Sequence, residues 1–227
     1  MKLSILLFDG FTALDVVGGY EVLARLPGVE TEFVSTEPGI VAADTRRLGM
    51  VSYGRLDAAA ACDILYVPGG PGVAAAIGDP TLLKTVRLLS QASSWTVGIC
   101  NGVAILGAAH LISGRRVTTN WEWRGRVADY GATVGTERYV RDGNIVTGAG
   151  VSASIDAALY LTSLIFGEEL AELVQLGIEY FPRPPIGPPS VEDVSDRTKE
   201  SLRAWIEHSE PHQLQMAPPW LGEATDR

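Results

Sequence analysis

Apolar runs of strand length alternate with longer helix-like patterns from residue 2 to about residue 165. Apolar runs of four to eight residues bounded by turn residues are typical of buried strands, and longer patterns with a period near 3.6 are typical of helices. The alternation predicts an α/β protein whose mostly parallel sheet is covered by helices on both faces. The predicted strands are Leu3–Phe8, Glu30–Ser35, Asp63–Val67, Trp95–Ile99, Arg116–Thr119, Arg138–Arg141 and Ile145–Thr147, and the predicted helices are Thr12–Arg25, Pro80–Ala92, Val103–Leu111, Glu122–Tyr130, Ser152–Phe166, Glu168–Leu176 and Ser190–His208.

Two local patterns add detail to the predicted sheet. The hydrophobicity of Trp95–Ile99 predicts that it is the central strand. Asp142-Gly143 is a strong hairpin signal between the last two predicted strands, because glycine readily adopts the backbone conformation of a tight turn. Pro38–Tyr53 is expected to contain loop and short hairpin segments.

The chain of 227 residues suits one domain, since neither an internal repeat nor a low-complexity linker divides it. Residues 1–190 are predicted to form this domain. The proline-rich stretch Pro182–Pro189 is expected to be extended, because proline is incompatible with a helix interior. Residues 191–227 are predicted to form a C-terminal helix and a tail that pack on the same domain.

Composition excludes several classes of function. The net charge is −9, and the basic residues form no cluster larger than Arg115-Arg116, which argues against nucleic-acid binding. The apolar runs are far shorter than the roughly 18–20 residues of a membrane span, and Met1–Phe8 does not resemble a signal peptide. Two cysteines and three histidines indicate neither a disulfide framework nor a metal site. We therefore expect a cytoplasmic protein that acts on a small molecule without a cofactor.

Gly98-Ile99-Cys100-Asn101-Gly102 lies between a predicted strand and a predicted helix. This is a cysteine version of the nucleophile elbow, in which small residues permit a strained strand-to-helix turn. We expect the helix N-terminus to lower the pKa of Cys100 from its ordinary value of about 8.5. Cys62, at a strand start, is interpreted as a buried structural cysteine.

The acid that accompanies Cys100 is predicted to be Asp15, which lies in an apolar helix start where an unpaired carboxylate is costly. Asp9 fits better as a charge at the helix N-terminus. A Cys-His-Asp triad is not supported, because His110 falls well inside a helix and His208 and His212 belong to the C-terminal segment.

Pro68-Gly69-Gly70-Pro71-Gly72 follows another predicted strand. Its backbone N–H groups at Gly70 and Gly72 could donate to a developing negative charge, although an ordinary tight turn has the same composition. The loop lacks the Lys-Ser/Thr of a P-loop, and no G-x-G-x-x-G follows a strand, so nucleotide binding is not indicated.

The order of several motifs resembles the ThiJ/PfpI superfamily over residues 2 to about 190. The motifs are Leu7-Phe8-Asp9-Gly10 with Asp15, Val67-Pro68-Gly69-Gly70, Gly98–Gly102, Ala108–Leu111 with Gly114–Thr119, and Val140–Asn144 with Thr147–Gly150 and Asp156. The resemblance implies a flavodoxin-like three-layer sandwich, relatedness to class I glutamine amidotransferases, and a homodimer. Related regulators add a DNA-binding region, for which too few basic residues follow Pro185.

Within the superfamily, Asp15 with its Leu-Asp-Val-Val-Gly-Gly context and Glu179–Pro185 look like isocyanide hydratases. Asn101 departs from that subgroup, which carries Thr, and Asn120 stands where the subgroup often shows His. The resemblance implies hydration of an isocyanide to an N-formamide through a Cys100 thioimidate, with Asp15 carrying the proton. Backbone N–H groups near Gly70, Gly72 and Asn101, and the Asn101 side chain, would orient the adduct. The alternatives are a glyoxalase- or deglycase-type enzyme acting on small dicarbonyls, and a redox sensor that oxidises Cys100.

Overall fold

The structure is a computed structural model that describes residues 1–58, 62–188 and 190–204. Its strands are β1 (Lys2–Leu6), β2 (Glu30–Ser35), β3 (Gly39–Ala42), β4 (Gly49–Ser52), β5 (Gly54–Arg55), β6 (Ile64–Val67), β7 (Trp95–Ile99), β8 (Arg116–Val117), β9 (Thr133–Val134), β10 (Tyr139–Asp142) and β11 (Ile145–Gly148). Its helices are α1 (Ala13–Leu23), α2 (Val73–Ala76), α3 (Pro80–Ala92), α4 (Val103–Ala108), α5 (Arg124–Ala128), α6 (Ala153–Phe166) and α7 (Glu168–Gly177), with 3-10 turns at Leu56–Ala58, Cys100–Gly102 and Trp121–Trp123. Residues 196–204 are also helical.

The main sheet of the described residues has seven strands in the order β10-β11-β7-β6-β1-β2-β5. All neighbours are parallel except β10 and β11, which form the antiparallel hairpin indicated by Asp142-Gly143. The predicted fold class is therefore confirmed. The predicted central position of Trp95–Ile99 is wrong, because β6 lies at the centre and β7 beside it. Strands that are covered on both faces are equally apolar, so hydrophobicity does not reveal their order.

The core lies on both faces of the sheet. Every residue of β6 is buried, as are four of the five in β1 and in β7. Helix α6 packs against α1 and α7, whereas α4 packs against α2, α3 and α5. These two helical groups and the sheet form the three layers. No helix in the described ranges is long and apolar enough to cross a bilayer.

Several helices are shorter than the sequence predicts, and two of them have a local reason. Helix α4 ends at Ala108 because His110 adopts a left-handed conformation with φ of 61°. The helix predicted from Ser190 begins only at residue 196, because the Ser195 hydroxyl accepts the Thr198 N–H at 3.2 Å and acts as its N-cap. The end of that helix, with His208, and the tail from Pro211 lie outside the described residues.

The turn after β7 lies very close to the loop that follows β6. Gly102 has φ of −58° and ψ of −21°, a helical conformation that any residue adopts. A Cβ atom at this position would nevertheless overlap the carbonyl oxygen of Pro68. Space, and not backbone conformation, therefore requires glycine at position 102.

We expect Gly102→Ala to lower the free energy of unfolding by roughly 1–3 kcal/mol, because the Pro68 carbonyl must move to admit the methyl group. Gly125→Ala is the matched control, since Gly125 also lies in a helix but a Cβ there would meet nothing within 4 Å. The control should gain about 0.4–1 kcal/mol. Urea unfolding measures both variants, and equal stabilities would contradict the close approach.

Candidate active site

The turn that carries Cys100 connects β7 to α4. Ile99 is still extended, with φ of −117°, whereas Cys100 has φ of 56°. A left-handed conformation is strained for a residue with a side chain, by on the order of 1–3 kcal/mol, and such strain is found at functional sites. The chain reverses direction at Cys100 and places its side chain at the carboxyl edge of the parallel sheet, where ligands bind in folds of this kind. Cys100 is 6% exposed.

Hydrogen bonds hold the Cys100 backbone and surround its sulfur. The Thr119 hydroxyl donates to the Cys100 carbonyl oxygen at 2.7 Å. The backbone N–H of Asn101 and the side chain of Asn120 interact with the sulfur, and both lower the pKa of the thiol. Burial and the nearby Asp15 carboxylate outweigh them and raise this pKa well above its ordinary value. The lowered pKa expected from the helix N-terminus is therefore wrong for the resting site.

Asp15 lies in the first turn of α1 and is completely buried. Its Oδ2 accepts the Gly69 N–H at 2.8 Å, and the Tyr66 hydroxyl donates to its backbone carbonyl at 2.6 Å. Its Oδ1 is buried and has no hydrogen-bond partner among the described residues. This oxygen therefore has an unused capacity to accept a hydrogen bond.

The pKa of Asp15 rises from 3.8 to about 7, chiefly because burial removes the carboxylate from water. The Gly69 N–H opposes this shift, the Asp44 carboxylate adds to it, and the Cys100 thiol lowers the pKa. Asp44 is held in place by the Thr12 hydroxyl, which donates to its Oδ2 at 2.8 Å. The sequence indicated a raised pKa for Asp15, but it gave no sign of Asp44, which comes from the β3–β4 hairpin.

Asp15 and Cys100 titrate as a coupled pair. Each group disfavours a second negative charge on the other, so the pair carries one charge more readily than two. When Asp15 is ionised, the thiol stays neutral; when Asp15 is protonated, the main Coulombic opposition to the thiolate disappears. The arrangement can thus move one proton between a carboxyl and a thiol that are both buried.

Gly69 lies where the Asp15, Cys100 and Asn101 side chains meet. A Cβ atom there would overlap the Asn101 amide oxygen and would lie 2.8 Å from Asp15 Oδ2 and 2.9 Å from Cys100 Cβ. Its N–H also holds the acid. Sequence reasoning selected the glycines at 70 and 72 instead, because nothing in the sequence distinguishes Gly69 from its neighbours.

The N–H groups predicted to stabilise an adduct are already paired. The Gly70 N–H donates to Asn101 Oδ1 at 2.7 Å, and the Gly72 N–H donates to the Gly10 carbonyl at 3.1 Å. The Asn101 amide group donates in turn to the Gly70 carbonyl at 3.0 Å. In this arrangement the Asn101 side chain joins two loops, and only its backbone N–H faces the sulfur, which differs from the expected role.

The other predicted alternatives lie away from the site. Cys62 is buried with its sulfur 3.2 Å from the Ser93 hydroxyl, in agreement with a structural cysteine. His110 is exposed after α4. No group of three or more potential metal ligands occurs within residues 1–58, 62–188 and 190–204. Asn120 is the side chain near the sulfur that the sequence noted only as a departure from a pattern.

Comparison with known proteins agrees with the motifs. Residues 1–164 match the DJ-1/PfpI family. The chain is 34% identical over 218 residues to the isonitrile hydratase of Pseudomonas putida. The match covers 92% of this chain and 95% of that protein. It is 30% identical over 173 residues to the HTH-type transcriptional regulator CdhR of Pseudomonas aeruginosa. That match covers 73% of this chain and 51% of the regulator.

A solved structure agrees over most of the chain. The crystal structure of a ThiJ/PfpI family protein from Pseudomonas syringae superposes with a TM-score of 0.86 and 28% identity, and the match covers 93% of this chain and 88% of that chain. The fold, the order of the motifs and the sequence matches lead to one conclusion. The chain belongs to the DJ-1/PfpI family.

Proposed function

We propose that this protein adds water to an isocyanide and releases an N-formamide, with Cys100 as nucleophile and Asp15 as proton carrier. The observation that carries the proposal is the buried Asp15 carboxyl, whose pKa is about 7 and whose Oδ1 is unpaired, beside a cysteine on a strained strand-to-helix turn. A group with a pKa near the operating pH is suited to both giving and taking a proton. The similarity to the isonitrile hydratase supports the choice of substrate.

The first step is addition of the thiol across the terminal carbon of R–N≡C. The Cys100 proton passes to the Asp15 carboxylate, the sulfur forms a bond to carbon, and Asp15 returns the proton to the same carbon. The product is the thioimidate R–N=CH–S–Cys100. The proton ends on the substrate carbon, so the site carries the same single carboxylate charge after the addition as before it.

The second step consumes water. Asp15 accepts a proton from the water, whose oxygen attacks the thioimidate carbon, and the proton moves to nitrogen. The tetrahedral intermediate R–NH–CH(OH)–S–Cys100 then breaks its C–S bond. The hydroxyl proton returns to sulfur through Asp15, and R–NH–CHO leaves. The net change is the addition of one water, which restores the thiol and requires no cofactor.

The electrostatics of the site favour an uncharged substrate such as an isocyanide. The carboxylates of Asp15 and Asp44 repel an anion. Arg46, a cation two residues beyond Asp44, is already paired with Asp9. Its guanidinium donates to both Asp9 oxygens, one of them at 2.7 Å. Small dicarbonyls are uncharged as well, so the glyoxalase-type alternative is tested together with hydration. The redox-sensor alternative starts from Cys100 as well, because oxidation proceeds through the thiolate, and turnover of a substrate distinguishes an enzyme from a sensor.

The test is product formation by the purified protein from a small alkyl isocyanide, a bulky alkyl isocyanide and methylglyoxal, followed by mass spectrometry. We expect N-formamide from the isocyanides and no turnover of methylglyoxal. Cys100→Ser should abolish formamide formation, because serine is a far weaker nucleophile at neutral pH. Cys62→Ser is the matched control and should stay within a few-fold of the wild type. Full turnover by Cys100→Ser, or consumption of methylglyoxal alone, would overturn the proposal.

The raised pKa of Asp15 has a consequence for stability that does not depend on turnover. The unfolded chain loses this proton near pH 3.8 and the folded chain near pH 7, so wild-type stability falls as the pH rises through that window. Asp15→Asn does not titrate. Between pH 5 and pH 8 we expect the variant to gain about 2–3 kcal/mol relative to the wild type in urea unfolding.

Asp196→Asn, a change at an exposed aspartate, is the control for this measurement and should follow the wild type at both pH values. The same offset between Asp15→Asn and the wild type at pH 5 and pH 8 would show that Asp15 has an ordinary pKa. In the activity assay, Asp15→Asn should lower the rate by about 10²–10⁴, the usual contribution of a general acid–base.

We also propose that the protein is a homodimer, as the family resemblance implies, through the exposed face of the β3–β4 hairpin. Ile40 and Val51 are paired directly across the two strands and are 53% and 41% exposed, and the neighbouring Tyr53 is 87% exposed. Burying such side chains favours association. The hairpin also holds Asp44 near Asp15, which lies in the first turn of α1, so this face adjoins the site.

Analytical ultracentrifugation should give about 48 kDa for the wild type, twice the chain mass of 24.2 kDa. Val51→Lys should shift the protein toward the monomer, because it places a charge in the interface. Leu88→Lys, at a position 56% exposed on α3, is the control and should remain dimeric. A monomeric wild type would contradict the dimer, and a dimeric Val51→Lys would contradict this face.

A further inference from the structure

Asn120 lies in a segment that is tied to the Cys100 turn. The preceding residue, Thr119, donates its hydroxyl to the Cys100 carbonyl at 2.7 Å, and the N–H of Thr118 donates to the Thr147 hydroxyl at 2.9 Å. Residues 118 and 119 are both completely buried. The segment therefore has a fixed position relative to the carboxyl ends of β7 and β11. The side chain of the next residue, Asn120, interacts with the sulfur of Cys100.

The orientation of the Asn120 amide is determined by its other contact. Its Oδ1 accepts the backbone N–H of Glu122 at 3.0 Å and caps the 3-10 turn Trp121–Trp123. An amide whose oxygen is used as an acceptor presents its nitrogen to the remaining partner. Asn120 Nδ2 is then the group that faces the sulfur, as a donor. Asn101 does not fill this role, because its amide is paired with Gly70.

The capped turn is held from outside by the segment 190–204. The Nε–H of Arg203 donates to both oxygens of the Glu122 carboxylate, at 2.9 and 3.0 Å, and the guanidinium lies 5.0 Å from the centre of a Trp121 ring. One residue beyond the turn, Arg124 pairs with Glu192 at 2.8 Å. These contacts connect a C-terminal segment to the turn that Asn120 caps.

We propose that Asn120 donates a hydrogen bond to the sulfur of Cys100 during reaction, and that Arg203 is a positioning residue that holds the Asn120 amide in place through Glu122. The inference rests on the proposed function in that Cys100 is taken as the nucleophile. A donor to a charged sulfur forms a charge-assisted hydrogen bond, which is stronger than one to a neutral thiol. Asn120 therefore favours the state in which sulfur carries charge, at the moment when Asp15 holds the proton.

The expected effect is largest in the pH profile of thiol reactivity. Asp15, from α1, is the titratable group that faces the sulfur, and Asp44, from the β3–β4 hairpin, faces Asp15. Both stay unchanged in the variants below. A shift in the profile then reports the loss of the Asn120 donor.

The experiment measures the rate of Cys100 alkylation by iodoacetamide from pH 6 to pH 10, in the full chain with Cys62→Ser to leave one thiol. Asn120→Ala should lower the rate about tenfold over this pH range, which is equivalent to raising the pKa of the thiol by about one unit. Asn120→Asp keeps the oxygen that caps Glu122 but replaces the donor with an acceptor. It should lower the rate further, which a merely structural role of Asn120 would not produce.

Arg203→Gln should lower the alkylation rate about threefold, in the same direction as Asn120→Ala, because the turn loses its ion pair with Arg203. Arg197→Gln, on the same helical segment and exposed, is the matched control and should react like the parent. In the background of Asn120→Ala, Arg203→Gln should have no further effect, since the group that it positions is gone. An additive effect would overturn the role of Arg203.

Alkylation does not require turnover, so this test is independent of the isocyanide assay. If no formamide forms but the profiles shift as described, the donor is established and the proposed function fails. If Asn120→Ala and Asn120→Asp both keep the parent profile and a wild-type urea midpoint, the Asn120 donor is overturned. Loss of folding in Asn120→Ala alone leaves Asn120→Asp, which preserves the cap, to decide the question.

Discussion

The close approach of the Cys100 turn to the loop after β6 is the constraint on which the rest of the site depends. Gly69 and Gly102 have no room for a Cβ atom, since one would overlap Asn101 and the other the Pro68 carbonyl. This contact permits the Gly69 N–H to reach Asp15 and permits Asn101 to pair with both polar groups of Gly70. Without it, the Asp15 carboxyl on α1 would lose its Gly69 N–H partner, and the Cys100 thiol would be less buried. Burial of the pair, and hence its unusual ionisation, follows from this packing.

Burial destabilises the charged forms of Asp15 and Cys100, and it thereby determines how the two groups ionise. A carboxylate without water is destabilised, and one backbone N–H at Gly69 does not compensate for the lost hydration, so the pKa of Asp15 rises to about 7. The same burial, with Asp15 beside it, raises the pKa of the Cys100 thiol. The site therefore stores a proton near neutral pH instead of a permanent thiolate. The proposed addition to a neutral, polarisable carbon requires such a proton at the moment when the sulfur attacks.

Local sequence signals predicted most of the fold. The bounds of β2, α3 and β7 agree with prediction because each is limited by local residues, such as the Asp79 side chain that caps α3 before Pro80. Cys100 and Asp15 were selected as candidates from similar local signals: a glycine-flanked cysteine between a strand and a helix, and an acid in an apolar helix start. The order of the strands at the sheet centre was not predicted, because it depends on pairing between distant segments.

The parts of the site that sequence reasoning missed all depend on such distant contacts. Asp44 acts from a hairpin and Asn120 from a turn between β8 and α5, and neither lies in a motif that marks its role. The ionisation of Cys100 was predicted in the wrong direction because a helix N-terminus is visible in a sequence, whereas burial and a carboxylate more than 80 residues away are not. Asn101 was assigned to the sulfur because it is the next residue, but the left-handed turn at Cys100 directs its side chain to Gly70 instead.

The geometry also gives a physical reason for aspartate, and not glutamate, at position 15. The Asp15 carboxyl accepts the Gly69 N–H, and the Asp15 backbone carbonyl accepts the Tyr66 hydroxyl. Both the backbone and the tip of this short side chain are therefore held. The space around Gly69 is already filled by Asn101 and Cys100. An extra methylene would need that space, and the longer arm would either displace the loop after β6 or turn away from the sulfur. The length of this one side chain therefore determines whether the carboxyl and the Cys100 thiol can share a proton.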